Sequence, residues 1–328
     1  MAEENTWKPK RPFFTRPDTT RSRVALEIAA ELVAAPDQPN RQAKVLLRPQ
    51  GSNEWPLCLF ATSTSEGVTA VVNHDATLAM INPASALTLA YRGTGPYSSP
   101  QPVRTLAVIP SLDQYVFAVA RDTGVLTFEE LGRKQFPLKL SLRGQRDHCL
   151  HMMLEHIVAA AGFTLGQVIT WGGSVSYEGT LPHAGGLRFG RLLRGEINAI
   201  FDEGAPEWLD DALDAGMRIL PLGEETVRTL ESMGYRRTVI SSKQYPRLGA
   251  DVLTVDFSGW SIFVHADLPD PLVEQLCTAL DSRKHLIPWE EPGPLPVERM
   301  CVDGADTPLD VPLHPAAERF WRQRGYLP

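Results

Sequence analysis

The sequence lacks the long apolar runs that export or membrane insertion requires. Its first residues, Met1-Ala-Glu-Glu-Asn-Thr-Trp-Lys-Pro, contain no apolar stretch of roughly 7 to 15 residues followed by a small-residue cleavage site. No other segment approaches the ~20 apolar residues that span a bilayer. We therefore expect a cytoplasmic protein without membrane insertion, or a periplasmic one if a signal peptide has been removed.

Cysteine is scarce and scattered. The four cysteines form no C-x-x-C pair and no zinc-ribbon spacing; they are Cys58, Cys149, Cys277 and Cys301. This pattern argues against a disulfide framework and against a structural zinc site, and it predicts buried free thiols. We expect no metal and no cofactor.

Basic charge is also in deficit. The 32 Lys and Arg are outnumbered by 39 Asp and Glu, which gives a net charge of -7. Such a surface does not attract nucleic acid or an anionic membrane. The sequence also contains no Ser-His-Asp signature, nucleophile elbow, phosphate loop or dinucleotide fingerprint, so no familiar catalytic class is indicated.

Strand and helix patterns alternate along the chain, which is typical of α/β proteins with parallel sheets. Two apolar strands separated by only four residues, 103–110 and 115–120, suit a crossover between two lobes. The other predicted helices are 21–35, 65–74, 147–161, 184–194, 224–233 and 271–283, and the other predicted strands are 44–48, 76–81, 168–171, 197–201 and 217–220.

The last eighteen residues, Val311-Pro-Leu-His-Pro-Ala-Ala-Glu-Arg-Phe-Trp-Arg-Gln-Arg-Gly-Tyr-Leu-Pro328, resemble the "P-L-H-P-G-A-x-R-Y-Y" tail of TAXI-type solute-binding proteins. These are the ligand receptors of one class of TRAP transporters. Two further segments, 123–134 and 193–204, resemble motifs of the same family in the same order. Pro49-Gln-Gly-Ser52 stands where the family has "T-G-G-S".

The resemblance implies an α/β, two-lobed type II periplasmic-binding-protein fold with a ligand cleft between the lobes. Lobe 1 would comprise residues 1–120 and 223–328, and lobe 2 residues 121–222. The partner that the resemblance implies is a small organic acid. The sequence leaves a homo-oligomer open.

Two loops depart from the family pattern at the expected cleft. The glycine-rich "T-G-x-x-G-x-Y-Y" loop is replaced by Thr15-Arg-Pro-Asp-Thr-Thr-Arg21, and a "G-S-G-t" loop by Arg143-Gly-Gln-Arg-Asp-His148. Both changes put charged residues in place of small ones. We therefore expect a ligand different from the usual ligands of the family.

The start of the predicted helix at 147 carries Arg146 and His148. Helix N-termini favour anions, and a guanidinium can bind a carboxylate through two hydrogen bonds. The alternative for Arg146 is an interlobe salt bridge with Asp202 or Glu203. Other ligand-binding candidates are Arg16 and Arg21 at the first helix, and Gln50, Ser52 and Asn53 in the turn after the first strand.

Ends of predicted strands supply the remaining candidates. Asp202 and Glu203 follow an apolar strand and could bind a ligand amine, form an interlobe latch, or move protons. Trp171 and Ser174, placed at the end of a strand, suit stacking on an apolar ligand. We considered His148, His151 and Glu155 as metal ligands and disfavoured them, because His148 and Glu155 would stand ~10 Å apart along a helix.

The favoured hypothesis is a solute-binding-protein-like receptor that closes on a carboxylate as a cytosolic sensor or carrier. The alternative is a cytosolic decarboxylase, lyase or isomerase on the same fold, with His148 and Asp202 or Glu203 as the proton-transferring groups. A third hypothesis is a subunit of an enzyme complex that no longer binds a ligand.

Overall fold

A computed structural model describes residues 17–34, 42–48 and 56–328. The chain divides into two compact units, residues 1–43 and residues 44–328. The first unit contains helix α1 (Pro17–Ala34), which begins four residues before the predicted helix at 21–35. The remaining helices, and the two five-stranded sheets, belong to the second unit.

The first sheet has the order β1-β2-β3-β12-β4. Strands β2 and β3 are parallel, whereas β12 comes from late in the chain and runs antiparallel to both β3 and β4. Its strands are β1 (Ala43–Leu47), β2 (Leu57–Ala61), β3 (Leu78–Ile81), β4 (Val103–Ile109) and β12 (Trp260–His265).

Helices pack around this sheet: α2 (Glu66–Val72), α3 (Ala84–Arg92), α10 (Asp270–Arg283), α11 (Val297–Met300) and α12 (Pro315–Gln323). The C-terminal tail is fixed at the sheet by hydrogen bonds. Thr105 on β4 donates its N–H to the Pro312 carbonyl (3.0 Å), and its own carbonyl accepts the N–H of His314 (2.9 Å). His314 then caps α12, since its Nδ1 accepts the Ala316 N–H at 3.2 Å.

The second sheet has the order β7-β6-β8-β5-β9. Strands β6, β7 and β8 are parallel, and β5 is antiparallel to β8 and β9. Its strands are β5 (Val116–Ala120), β6 (Lys139–Leu142), β7 (Ser174–Tyr177), β8 (Ala199–Asp202) and β9 (Met217–Ile219), and its helices are α4 (Glu129–Arg133), α5 (Cys149–Ala160), α6 (Leu165–Thr170), α7 (Leu187–Leu193) and α8 (Ala205–Asp214).

Two chain segments cross between the sheets, at residues 110–115 and 256–259. Before the second crossing the chain forms α9 (Glu224–Met233) and the antiparallel pair β10 (Arg237–Ile240) and β11 (Val252–Val255). The α/β class and the two lobes are confirmed. The first crossing lies at residues 110–115, where the sequence predicted it. Strand β5 hydrogen-bonds in the second sheet, although the predicted division at residue 120 assigns it to lobe 1.

The crossing segments are anchored in the aromatic core beneath the second sheet. Tyr115 stacks on Phe117 with ring centroids 4.9 Å apart and meets Phe257 edge-on at 6.2 Å. Tyr115 lies in the first crossing and Phe257 in the second, so both crossing segments pack into the core of the second lobe. All four cysteines are buried and free, as the sequence predicted.

One predicted strand was wrong. Residues 168–171 belong to α6 and its C-cap rather than to a strand. Thr164 and Gln167 form a reciprocal capping box that starts this helix, and Leu165 and Val168, one turn apart, are its buried residues. The apolar run at 168–171 was mistaken for a strand because the T-x-x-Q signal just before it was overlooked.

Within the described residues, none of the helices is long and apolar enough to cross a membrane.

Candidate functional site

Polar residues gather at one edge of the second sheet. The parallel strands β6, β7 and β8 all end at this edge, and antiparallel β5 begins there, with Val116 opposite Asp202. The residues that follow the three parallel strands are Arg143, Glu178 and Glu203. Ligands of α/β sheets bind outside the carboxyl ends of strands, so this edge is the candidate site.

A buried network of two arginines and two carboxylates lies at the centre of this edge. Arg143 Nη2 donates to Asp202 Oδ1 at 2.6 Å and also pairs with Glu203. Arg188 Nη1 donates to the other oxygen of Asp202, and its Nε donates to Ser141 Oγ at 3.0 Å. The two positive charges are therefore matched by two negative ones inside the protein.

The pKa of Arg143 reflects this pairing. Burial by itself would lower the pKa, because it disfavours the charged form, but the nearby carboxylates of Asp202 and Glu203 raise it above the usual arginine value. Arg143 therefore remains a cation whose charge is already compensated.

Asp113, in the first crossing, fills the anion position at the start of α8. Its carboxylate accepts the N–H groups of Gly204 (2.9 and 2.8 Å) and Ala205 (3.0 Å). Gly204 has φ +80, and a Cβ there would lie 2.6 Å from a methyl carbon of Leu181, so glycine is required. Burial and the neighbouring Glu203 raise the pKa of Asp113 well above its usual range.

The second crossing approaches Asp113 through Ser258. The Asp113 N–H donates to Ser258 Oγ at 2.9 Å, and Ser258 Oγ lies 2.5 Å from Asp256 Oδ1. Burial raises the pKa of Asp256 to about 6. Each crossing thus carries a buried aspartate, and one serine links them.

The first turn of α5, where the sequence predicted an anion site, uses its N–H groups internally. His148 caps the helix, because its Nδ1 accepts the Leu150 N–H at 3.2 Å. The Cys149 N–H donates to the Ser63 carbonyl at 3.0 Å, and the His151 N–H donates to the His148 carbonyl at 3.0 Å. Any anion must therefore bind to side chains near this turn.

Arg146 is the arginine that remains exposed at this edge. Its guanidinium lies 4.2 Å over the ring of Tyr177, the last residue of β7. Among the described residues no carboxylate pairs with it. The salt bridge to Asp202 and Glu203 that the sequence offered as its alternative role is formed by Arg143 instead.

His151 lies just beneath Arg146 and Tyr177. Its ring meets the ring of Tyr177 edge-on at 5.3 Å and is 9% exposed. Neither ring nitrogen has a hydrogen-bond partner in the described structure, and neither has Arg143 Nε. Burial lowers the pKa of His151 and outweighs the opposing effects of Asp202 and of the backbone of Arg143 and Gln145.

A hydroxyl-rich loop of the first lobe, residues 62–65, contacts this edge. Gln145 Nε2 donates to Ser63 Oγ at 3.0 Å, and Thr62 Oγ1 and Thr64 Oγ1 lie 3.0 Å apart. The sequence analysis overlooked this loop. The signal was present, because Thr-Ser-Thr-Ser directly follows the apolar strand β2.

Other predicted site residues lie elsewhere. Arg16, Gln50, Ser52 and Asn53 fall outside the described residues, and Arg21 is an exposed residue of α1 in the separate first unit. Their ligand-binding roles stay predictions.

Trp171 and Ser174 are not at the carboxyl edge. Trp171 is the C-cap of α6 and packs near Phe163 at 6.0 Å, while Ser174 is the first residue of β7 and so lies at the opposite end of the strand from Tyr177. No group of three or more His, Cys, Asp or Glu that could hold a metal ion occurs within the described ranges. Glu155, the third residue of the disfavoured metal set, is exposed.

Comparison with known proteins identifies the family. A profile described as the NMT1-like family matches residues 61–325, which is most of the chain. The chain belongs to the NMT1-like family. No curated protein matches the sequence.

Several solved binding proteins are distantly similar. The tungstate-binding protein TupA of Desulfovibrio alaskensis is 12% identical, with 85% of this chain and 94% of the other covered and a TM-score of 0.36. The alkanesulfonate-binding protein SsuA of Xanthomonas axonopodis pv. citri is 14% identical (80% and 70% covered, TM-score 0.32), and a TctC solute-binding protein of Polaromonas is 14% identical (66% and 67% covered, TM-score 0.33). Similarities this low do not define a ligand.

The site of this NMT1-like protein therefore combines three kinds of group. It has a buried ion network that is neutral overall, an exposed arginine resting on a tyrosine, and hydroxyls from the opposite lobe. Such an arrangement can bind a small anion with additional polar groups. Its buried charged residues are paired with each other, whereas Arg146 is exposed and has no carboxylate partner among the described residues.

Proposed function

We propose that this chain is a two-lobed receptor that closes on a small organic acid, and that Arg146 binds the carboxylate of the acid. The observation that carries the proposal is the contrast among the arginines of the site. Arg143 and Arg188 are buried and paired with protein carboxylates, whereas Arg146 is exposed and rests on Tyr177. A ligand carboxylate would provide the counter-charge that Arg146 lacks.

The stacking of Arg146 suits this role. A guanidinium lying flat on an aromatic ring keeps the N–H groups at its edge available, and these fit the two oxygens of a carboxylate. The ring also restricts the arginine side chain before the ligand arrives, which reduces the entropy cost of binding. Loop 62–65 supports closure, because Ser63 already contacts Gln145 and Cys149 of the other lobe.

Other features belong to the proposal as predictions. The closer likeness to TAXI receptors rests on the tail motif and the ordered segments in the sequence. The division into lobes at 121–222, a cytosolic place of work and a homo-oligomer likewise stay predictions.

Thermal stabilisation by a library of small carboxylates tests the proposal. At a concentration one hundred times its dissociation constant, a ligand adds about 2.7 kcal/mol to the free energy of unfolding. Replacing Arg146→Ala should weaken binding about 10- to 100-fold, because a hydrogen-bonded charged contact contributes about 1.5–3 kcal/mol. Arg146→Lys should restore part of the affinity, since it keeps the charge but not the fork of donors.

Arg121→Ala is the matched control. Arg121 is another exposed arginine, directly after β5 and therefore at the opposite edge of the second sheet. Its loss should leave ligand affinity unchanged. The proposal fails if no carboxylate stabilises the protein, or if the two alanine variants bind equally well.

The enzyme alternative has less support from the geometry. Both ring nitrogens of His148 contact protein groups, because Nδ1 accepts the Leu150 N–H and Nε2 lies 3.4 Å from Arg143 Nη1. Both oxygens of Asp202 bind arginines, and Glu203 pairs with Arg143. The enzyme hypothesis stays a prediction, tested by mass spectrometry of bound acids before and after incubation with the wild type and with His148→Ala.

A further inference from the structure

Helix α1 carries its large apolar side chains on the outside. The exposed fractions are 52% for Val24, 38% for Leu26, 57% for Ile28, 48% for Leu32 and 54% for Val33. Exposed apolar residues that are scattered singly are ordinary, but these five follow closely along one helix. A contiguous apolar surface of this kind marks a site of contact with another molecule.

One side of α1 has a self-complementary order of side chains. Four residues follow one another at spacings of three, four and three positions, which places them on the same side of the helix. They form the α1 row: Arg21, Val24, Ile28 and Glu31. The row begins with a cation, ends with an anion and is apolar between them. Its spacing is the same from either end, so a second row laid antiparallel meets it position by position.

Two antiparallel copies of α1 would bring each cation beside an anion. In one register Arg21 of one copy lies opposite Glu31 of the other. The same register places Val24 opposite Ile28, so the apolar residues also meet. A parallel pair in register would set like charges against each other, which is destabilising. Within one helix Arg21 and Glu31 lie about 15 Å apart along the axis, too far to pair with each other.

The remaining charges of α1 agree with this arrangement. Arg23 and Glu27 form an ion pair with each other and lie beside the row rather than in it. Two arginines against one aspartate and two glutamates give the helix a charge of -1, whereas helices that lie on membrane surfaces are rich in Lys and Arg. Glu31 stands in the last turn, where the helix dipole disfavours an anion, so its place is not explained by the helix itself.

We infer that α1 packs antiparallel against α1 of a second copy of the chain through the α1 row. A helix of 18 residues is about 27 Å long, and one pair of such helices buries less surface than a permanent interface does. We therefore expect a dimer that dissociates at micromolar concentrations. The inference concerns assembly and stands or falls independently of the ligand. It gives Arg21, which the sequence analysis considered as a ligand-binding residue, a role in assembly.

Sedimentation of the full chain at a series of micromolar concentrations tests the inference. The wild type should shift from monomer to dimer as the concentration rises. Ile28→Lys places a charge in the apolar part of the contact and should raise the dissociation constant about tenfold or more. Leu26→Lys is the matched control, because Leu26 lies two positions from both Val24 and Ile28 and so on the other side of the helix. Its dissociation constant should equal that of the wild type.

Exchange of charges tests the antiparallel direction. Arg21→Glu and Glu31→Arg each replace two attractive pairs by two repulsive ones, so each should weaken the dimer about tenfold. Both substitutions suit the helix dipole better than the natural residues do, so loss of the helix would not explain a weaker dimer. The double variant restores opposite charges and should return the dissociation constant to near that of the wild type. In a parallel pair all four proteins would dimerise alike.

The contrary results are distinct. A wild type that stays monomeric at every concentration overturns the inference, as does a dimer that Ile28→Lys and Leu26→Lys affect equally. If Ile28→Lys instead lowers the melting temperature of a monomeric protein, α1 covers a surface of its own chain. If the double charge variant dimerises no more tightly than the single variants, the antiparallel row is wrong.

Discussion

In both lobes the candidate site lies at the carboxyl ends of strands, but the two lobes place different chemical groups there. The carboxyl edge of the second sheet carries a buried ion network, two histidines and an exposed arginine, whereas loop 62–65 of the first lobe offers hydroxyls and a backbone carbonyl. The difference indicates a division of roles. Under the proposed function, the second lobe would supply the charge that binds the acid, and the first lobe would supply neutral hydrogen bonds that cover it.

The largest effect should come from breaking the ion network. Asp202 is fully buried and binds both Arg143 and Arg188. Asp202→Asn leaves a buried arginine without its counter-charge, which should cost about 3–5 kcal/mol of unfolding free energy. Urea denaturation followed by circular dichroism measures the loss.

Glu196→Gln is the control for this change. Glu196 also pairs with two arginines, Arg191 and Arg194, but at an exposed position. Solvent screens exposed ion pairs, so the urea midpoint of Glu196→Gln should stay near that of the wild type. If both substitutions lowered the urea midpoint equally, burial would not be the reason that the network stabilises the protein.

A smaller, pH-dependent effect is expected at Asp256 in the second crossing. Burial raises its pKa to about 6 in the folded protein, from 3.8 in the exposed state. Below pH 4 the carboxyl is protonated in both states. Between pH 4 and pH 6 only the unfolded chain loses the proton, so stability falls as pH rises and the deficit persists above pH 6.

Asp256→Asn should therefore stabilise the protein at pH 7.5 by about 1–3 kcal/mol relative to the wild type, with little gain at pH 4. Thermal or urea unfolding across this pH range measures the difference. A gain of equal size at both pH values would show that ionisation of Asp256 is not its cause.

The smallest effect should arise at the contact between the lobes. Ser63→Ala removes the acceptor of Gln145 Nε2, a hydrogen bond worth about 0.5–1.5 kcal/mol. Ligand affinity should fall by up to about tenfold while the urea midpoint changes little, because the contact belongs to the closed arrangement. Small-angle X-ray scattering would detect a more open average form.

Ser242→Ala is the matched control for the interlobe contact. Its hydroxyl bonds Asp251 in the exposed turn between β10 and β11. Neither affinity nor scattering should change. A loss of affinity equal to that of Ser63→Ala would contradict a specific role for loop 62–65.

The sequence by itself determined the class of fold and part of the site. Alternating apolar patterns predicted an α/β fold with a crossing near residues 110–115, because burial on a sheet imposes its period locally, and the family resemblance implied the two lobes. The position after an apolar strand placed Asp202 and Glu203 at a sheet edge, and the predicted helix start brought His148 and Arg146 near them. These inferences needed only neighbouring residues.

Only the tertiary structure decided which charges are available. Arg143 rather than Arg146 meets Asp202 and Glu203, because β6 and β8 are adjacent in the sheet although 59 residues separate the paired side chains. The unpaired nitrogens of His151 are likewise invisible in the sequence. Whether a polar atom has a partner depends on contacts between distant segments, and no local pattern of residues records them.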